Sequence, residues 1–127
     1  MMVLDASVAV MGLLNDGEAR SRMAFEPLSI PHLADSEVAQ ALRNQCLRKV
    51  VSEAEAEKAL ERWTRLGLRR YGGLGLLSRV WQLRGNLSAY DATYVALAEA
   101  LGCELLTADA RLAAAPGVQC PVLVVPG

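Results

Sequence analysis

Residues 86–109 constrain the fold of this 127-residue chain more than any other segment, because they predict a helix followed by a buried strand. Ser88 and Asp91 form a capping-box-like pattern at the start of the helix. An apolar stripe with helical spacing follows, formed by Tyr94, Leu97, Ala98 and Leu101. Gly102 is placed to end the helix, and residues 103–107 then predict a strand.

The rest of the chain repeats this alternation of short apolar strands and helices. Further strands are predicted at residues 2–4, 28–30, 68–71 and 122–125. Ser7 is placed to cap the first helix, and Pro31 fits the first turn of a helix that runs to about Lys49. Because several strands are apolar throughout rather than alternating, both faces of the sheet are expected to be covered. The fold class predicted is α/β, a three-layer α/β/α sandwich with a central, mostly parallel sheet, in one domain over residues 1–127.

Composition narrows the cellular setting. No apolar run is long enough to cross a membrane, and residues 1–5 lack the basic start of a signal peptide, so we expect no membrane association. Cys46, Cys103 and Cys120 are odd in number and widely spaced, which favours free thiols in a reducing compartment. These features predict a cytoplasmic protein.

Of the thirteen basic residues only Lys49 and Lys58 are lysines, and arginine is the side chain that binds phosphate through two hydrogen bonds.

Acidic residues occur where parallel strands and helices bring side chains together. Asp5 and Asp109 follow predicted strands, Asp91 lies in the first turn of a helix, and Glu37 lies within a largely apolar helix. Each acid alone is also explained by an ordinary structural role. Together they predict one site, since ligands bind outside the carboxyl ends of parallel strands. Clustered carboxylates repel one another unless a cation joins them, and carboxylate oxygens select Mg²⁺ or Mn²⁺. Such sites suit phosphodiester hydrolysis.

Other site chemistries fit the sequence less well. Asp35 is about 200° around the helix from Glu37 and is expected to face solvent. His32 is the only histidine, which leaves zinc and Ser-His-Asp sites without their usual residues. A phospho-accepting receiver domain also gathers acids at strand ends, but it needs a lysine late in the chain, and none follows Lys58.

Four segments resemble the motifs of PIN-domain ribonucleases, specifically VapC-type toxins of bacterial toxin–antitoxin pairs. They are residues 3–7, 37–43, 87–98 and 105–109, in the family's order and at its spacings. The resemblance implies an α/β/α fold, Mg²⁺- or Mn²⁺-dependent endonucleolytic cleavage of RNA, a homodimer, and inhibition by a small VapB-like antitoxin. The alternative is a PIN-like module that binds RNA or a partner without cleaving.

The resemblance also assigns residues. Asp5, Glu37, Asp91 and Asp109 match the family's acidic positions, which implies that they hold the metal and carry catalysis. Ser7 and Thr107 match hydroxyl positions beside them, although a helix cap and a strand-end hydroxyl explain these two equally well. Where some relatives carry a further acid after Asp109, this chain has Ala-Arg-Leu at residues 110–112. The number of metal ions in the site, one or two, therefore stays open. The candidates for RNA contacts are Arg43, Arg69, Arg70, Arg79, Arg84 and Arg111.

Overall fold

A computed structural model describes residues 1–126 and contains one five-stranded sheet, ordered β3-β2-β1-β4-β5. Every strand pairing in it is parallel, so the predicted α/β sandwich is confirmed. Each predicted strand is present, with bounds that differ by one residue at most. The strands are β1 (Met2–Leu4), β2 (Leu28–Pro31), β3 (Arg69–Tyr71), β4 (Glu104–Thr107) and β5 (Val122–Val124).

Seven α-helices connect and flank these strands in the described part of the chain. They are α1 (Ala6–Leu14), α2 (Glu18–Phe25), α3 (Leu33–Leu47), α4 (Glu53–Arg65), α5 (Leu77–Gln82), α6 (Ala89–Leu101) and α7 (Ala110–Ala114). A single 3₁₀ turn, Leu74–Leu76, precedes α5. Over residues 1–126, none of the helices combines the length and the apolar character that crossing a membrane requires.

The core lies between the central strands and two groups of helices. Helix α1 contacts α2, α3 and α4, whereas α6 contacts α5 and the strands β1, β2 and β4. Val3, Leu4, Leu105 and Leu106 are completely buried on the two central strands, β1 and β4. Because helices cover the sheet, these strands carry apolar side chains at consecutive positions rather than in alternation.

Two predictions about helix starts are wrong. Pro31 belongs to β2 and pairs with Tyr71, so α3 begins only at Leu33. Proline is tolerated at a strand end, and the next residue, His32, continues the pairing by donating its N–H to the Tyr71 carbonyl at 2.9 Å. Ser7 does not cap α1, since Asp5 occupies the N-cap position and Ser7 lies inside the first turn.

Helix α6, which carries Asp91, begins and ends as predicted. The Ser88 hydroxyl accepts the backbone N–H of Asp91 at 3.1 Å, which fixes the first turn. Gly102 ends the helix in the left-handed conformation, with φ of 65°. Between these two caps, residues 92–98 are all buried. The helix therefore presents Asp91 at one fixed end of a rigid element.

Candidate active site at the carboxyl edge of the sheet

Asp5 lies at the carboxyl end of the central strand β1, and its side chain is only 7% exposed. Its backbone N–H donates to the Leu106 carbonyl at 2.9 Å, which ties it to the neighbouring strand β4. The carboxylate accepts the hydroxyls of Ser7 at 2.9 Å and Thr107 at 2.6 Å, both on Oδ2. Within the described residues Oδ1 accepts no hydrogen bond, so this oxygen is free to bind a ligand.

The two hydroxyls also connect β1 to the segment after β4. Ser7 Oγ accepts the N–H of Ala108 at 3.0 Å, and Thr107 Oγ1 accepts the N–H of Asp109 at 3.1 Å. Thr107 is fully buried. Both side chains therefore orient the Asp5 carboxylate and position the turn that carries Asp109.

Asp91 approaches the same place from the first turn of α6. Burial raises the pKa of Asp91, and the negative charges of Asp5 and Asp109 raise it further. A carboxyl group responds in this way only to charges close to it, so the three acids share one electrostatic environment. Their mutual repulsion means that a cation would stabilise the group.

Glu37 reaches the cluster from α3 and is held there by Tyr94 of α6. The Tyr94 hydroxyl donates to Glu37 Oε1 at 2.6 Å, and the tyrosine side chain is 1% exposed. Burial raises the pKa of Glu37, and the negative charges of Asp5 and Asp91 raise it further. The hydrogen bond from Tyr94 acts in the opposite direction and lowers it. Burial and Glu37 raise the pKa of Tyr94, so the phenol keeps its proton and remains the donor.

Asp109 accepts more hydrogen bonds than the other three acids, and all of them come from Arg111. Arg111 donates to it from Nε to Oδ1 at 3.1 Å and from Nη2 to Oδ2 at 2.8 Å. The backbone N–H of Arg111 also donates to Oδ1 at 3.0 Å, which caps α7. These bonds from Arg111 lower the pKa of Asp109, whereas the pKa values of Glu37 and Asp91 are raised.

The donor atoms suit a hard divalent cation, because they are carboxylate oxygens from residues whose charges repel one another. In residues 1–126, however, no group of three or more His, Cys, Asp or Glu side chains is arranged so that it could hold a metal ion. One oxygen of Glu37 is engaged by Tyr94, and both oxygens of Asp109 are engaged by Arg111. The chemistry fits Mg²⁺ or Mn²⁺, and the four-acid metal site stays a prediction.

Asp35 does not join the acids, although it has a structural role that the sequence did not indicate. It accepts the indole N–H of the buried Trp63 at 2.7 Å. Arg70 donates to both of its oxygens at 2.9 Å. The hydrogen bonds from Arg70 are the largest cause of the lowered pKa of Asp35. The three residues connect α3, α4 and the edge strand β3.

The candidate RNA-binding arginines lie in different settings. Arg70 pairs with Asp35, and Arg79 pairs with Glu99 at 2.6 Å while donating to the Gly117 carbonyl at 2.7 Å, so both serve the fold. Arg43 is exposed on α3 and Arg69 is exposed on β3. The Arg84 guanidinium lies 4.6 Å from the ring centroid of Trp81. Among these candidates only Arg111 contacts one of the four acids.

Two of the four acids, Asp91 and Asp109, line a polar cleft of about 370 Å³ together with Arg111. A larger cleft of about 480 Å³ lies elsewhere, among residues of α1, α2 and α4, and contains none of the four acids. Cavity size alone would therefore select a cleft without any of the predicted site residues. The polar cleft is the better candidate, because it contains charged groups with shifted pKa values.

Sequence reasoning missed the contacts of Tyr94 and Arg111. The sequence places Tyr94 in an apolar stripe, although it lies three residues after Asp91 and so shares a helix face with it. Arg111 was one of several arginines, although its position two residues after Asp109 allows the Asx-type contact that the structure shows.

Known proteins resemble this chain over nearly its full length. The PIN domain family matches residues 2–118. Ribonuclease VapC9 of Mycobacterium tuberculosis is 53% identical over 126 residues, which cover 99% of each chain. VapBC2 of Rickettsia felis, solved bound to a DNA fragment from its promoter, matches with a TM-score of 0.72 at 10% identity, covering 97% of each chain.

A second solved structure is M. tuberculosis VapC20, described as a sarcin-ricin loop cleaving toxin. It matches with a TM-score of 0.61 at 19% identity and covers 83% of this chain and 87% of its own. At such identities the two structures support the fold. The family is established by the domain match and by the identity to VapC9. The chain belongs to the PIN domain family and, within it, to the VapC proteins.

Proposed function

We propose that this protein is a Mg²⁺-dependent endoribonuclease and the toxin of a toxin–antitoxin pair. The observation that carries the proposal is that Asp5, Glu37 and Asp91 come from three separate elements and influence one another: the charges of Asp5 and Asp91 raise the pKa of Glu37, and the charge of Asp5 raises the pKa of Asp91. The identity to a protein named ribonuclease VapC9 supports it. A non-cleaving binding module has no need to keep three mutually repelling carboxylates, of which Asp5 is buried and Glu37 and Asp91 are half-buried.

The residues of the site have distinct tasks. Asp5, Glu37 and Asp91 would hold Mg²⁺, with Mn²⁺ as an alternative, through carboxylate oxygens. When bound, the ion lowers the pKa of a water and offsets the charge of the phosphodiester. Ser7 and Thr107 orient Asp5, and Tyr94 orients Glu37. The free oxygens of these acids are also suited to accept a proton from an attacking water.

The test is incubation of the purified, antitoxin-free protein with total RNA, with and without Mg²⁺, followed by mapping of the cut ends. We expect cleavage only with the metal. Asp5→Asn, Glu37→Gln and Asp91→Asn should each abolish it while the fold remains, because each removes charge and little volume. Glu61→Gln, an exposed change on α4, is the matched control. Full activity in a folded Asp5→Asn protein would contradict the assignment, and RNA binding without any cleavage would favour the binding module.

The partner proposed is a VapB-like antitoxin that places a basic side chain, most simply arginine, against Asp5 or Asp91. A guanidinium offers a fork of donors that matches a carboxylate. The structure of a toxin–antitoxin complex tests this expectation. An antitoxin segment bound away from all four acids would contradict it.

A homodimer is proposed on the face formed by Leu74, Leu77 and Trp81. Their side chains are spaced i, i+3 and i+7 and are 85%, 56% and 67% exposed. Exposed apolar groups of this size are typical of interaction surfaces. Light scattering on wild type and Trp81→Ala tests the proposal, and a monomeric wild type would refute it.

We also propose that the protein is cytoplasmic, because its proposed RNA substrate is in the cytoplasm.

A further inference from the structure

The polar cleft beside the acids contains one basic side chain among its described lining residues, Arg111. Its other polar lining residues are Asn86, Ser88, Asp91 and Asp109. A nucleic acid strand that approaches Asp5, Glu37 and Asp91 meets negative charge, which repels its phosphates. A fixed cation at the mouth of the cleft would offset that repulsion.

Asp109 fixes Arg111 at this mouth. The two carboxylate oxygens of Asp109 accept hydrogen bonds from Nε and Nη2 of the Arg111 guanidinium and from the backbone N–H of the same arginine. Arg111 Nη1 makes no hydrogen bond within residues 1–126, and the side chain is 88% exposed. A guanidinium has five N–H donors, so the group retains free donors that point to solvent. A phosphate oxygen is a suitable acceptor for them.

The same contacts count against Asp109 as a metal ligand. Both of its oxygens accept hydrogen bonds from the Arg111 guanidinium, so neither oxygen is free of a cationic partner. Arg111, two residues after Asp109, is thus a basic residue bound to Asp109. Asp109 behaves as the counter-ion of Arg111.

We propose that Arg111 binds a phosphate of the RNA strand in this cleft, and that Asp109 is its positioning residue rather than a metal ligand. The inference rests on the proposed function, since it concerns the RNA that the acidic site would cleave. It adds a binding residue and reassigns one of the four acids.

The first experiment measures binding of a fluorescein-labelled single-stranded RNA in EDTA by anisotropy, from about 50 to about 200 mM salt. Arg111→Ala should weaken binding about 3- to 10-fold. The slope of log affinity against log salt should fall by roughly 0.7, the value for one phosphate contact on a single strand. Arg111→Lys should restore part of the affinity, because it keeps the charge and loses the fork.

Asp109→Asn gives the sharper result, because two explanations of the role of Asp109 predict opposite changes in RNA affinity. If Asp109 only repels RNA, the neutral variant binds RNA more tightly than wild type. If Asp109 positions Arg111, the variant binds more weakly, although asparagine can still cap α7. The control pair is Glu61 and Arg65, an exposed ion pair on α4 that is remote from the polar cleft. Glu61→Gln and Arg65→Ala should leave affinity within about twofold, apart from the small general effect of charge.

The second experiment measures Mn²⁺ affinity by electron paramagnetic resonance, without RNA. Asp91→Asn should lose about tenfold or more, whereas Asp109→Asn should change by less than about threefold. Equal losses in the two variants would overturn the reassignment of Asp109. Wild-type RNA affinity and salt slope in Arg111→Ala would overturn the phosphate contact, even if wild type cleaves RNA. Absence of Mg²⁺-dependent cleavage by wild type would instead refute the proposed function.

Discussion

The hydroxyl of Tyr94 donates a 2.6 Å hydrogen bond to Glu37 Oε1 and so joins α6 to α3 at the acidic site. Tyr94→Phe keeps the ring and leaves that carboxylate oxygen without its donor. We expect the free energy of unfolding to fall by about 1–3 kcal/mol, the usual cost of leaving a buried polar group unpaired. Urea unfolding in EDTA measures the change.

Glu37→Gln supplies the control for this bond. The amide can still accept from Tyr94 and carries no charge, so Tyr94→Phe should cost less in the Glu37→Gln background than in wild type. The double-mutant cycle gives the coupling between the two side chains. A coupling of zero would show that the charge of Glu37 does not strengthen the hydrogen bond.

Asp91→Asn should stabilise the protein in EDTA by about 1 kcal/mol, because close like charges at an effective dielectric near 20 repel by a few kcal/mol. The raised pKa of Asp91 gives the same sign. The pKa is raised because the folded state disfavours the charged carboxylate. The stability of wild type therefore falls as pH rises from the ordinary aspartate pKa through the folded-state pKa. The gain should therefore be present at pH 7 and vanish below the ordinary pKa of the aspartate.

Millimolar Mg²⁺ should raise the Tm of wild type more than that of Asp91→Asn, since the ion binds only the native state and the variant binds it less tightly. Thermal melting of both proteins in EDTA and in Mg²⁺ checks this. A lower Tm for the variant in EDTA, together with equal shifts in Mg²⁺, would show that the acids do not form one metal site.

Asp35→Asn should lower the Tm at pH 7 by a few degrees, because Asp35 accepts from both Arg70 and the buried Trp63 indole. Arg70 lowers the pKa of Asp35, so the stabilisation is present above the ordinary aspartate pKa and is lost as pH falls through the folded-state pKa. Melting curves from pH 7 to about pH 3 should converge for the two proteins.

Asp16→Asn is the matched control for Asp35→Asn. Asp16 also pairs with an arginine, Arg20, but its side chain is 92% exposed. Exposed pairs contribute little, so we expect almost no change in Tm. Equal effects of the two substitutions would contradict a structural role for Asp35.

Gly102→Ala should destabilise the protein by about 1 kcal/mol, because φ of 65° strains any residue with a β-carbon. A β-carbon at Gly102 would meet nothing within 4 Å, so the cost is one of backbone conformation alone. Gly85 also has open space and lacks a positive φ, which makes Gly85→Ala the control. Destabilisation by both changes to the same extent would refute the backbone explanation.

The sequence determined most of the elements, because helix caps and runs of apolar residues are set by near neighbours along the chain. The apolar runs of β1 and β4, the Ser88 cap and Gly102 are local signals, and they specified a parallel sheet with Asp5 and Asp109 at one edge. The motif resemblance then indicated the family and the acids. Pro31 shows the limit of such signals, since its strand position depends on pairing with Tyr71, which is forty residues away in the chain.

Tertiary structure decided which partners the site residues have. Helical spacing places Tyr94 on the face of Asp91, but its hydrogen bond to Glu37 exists only because α6 and α3 meet at the sheet edge. Asp35 likewise acquires Trp63 and Arg70 from other elements. The pKa shifts of Glu37 and Asp91 depend on burial and on charges brought in from distant segments, which are properties of the folded chain alone.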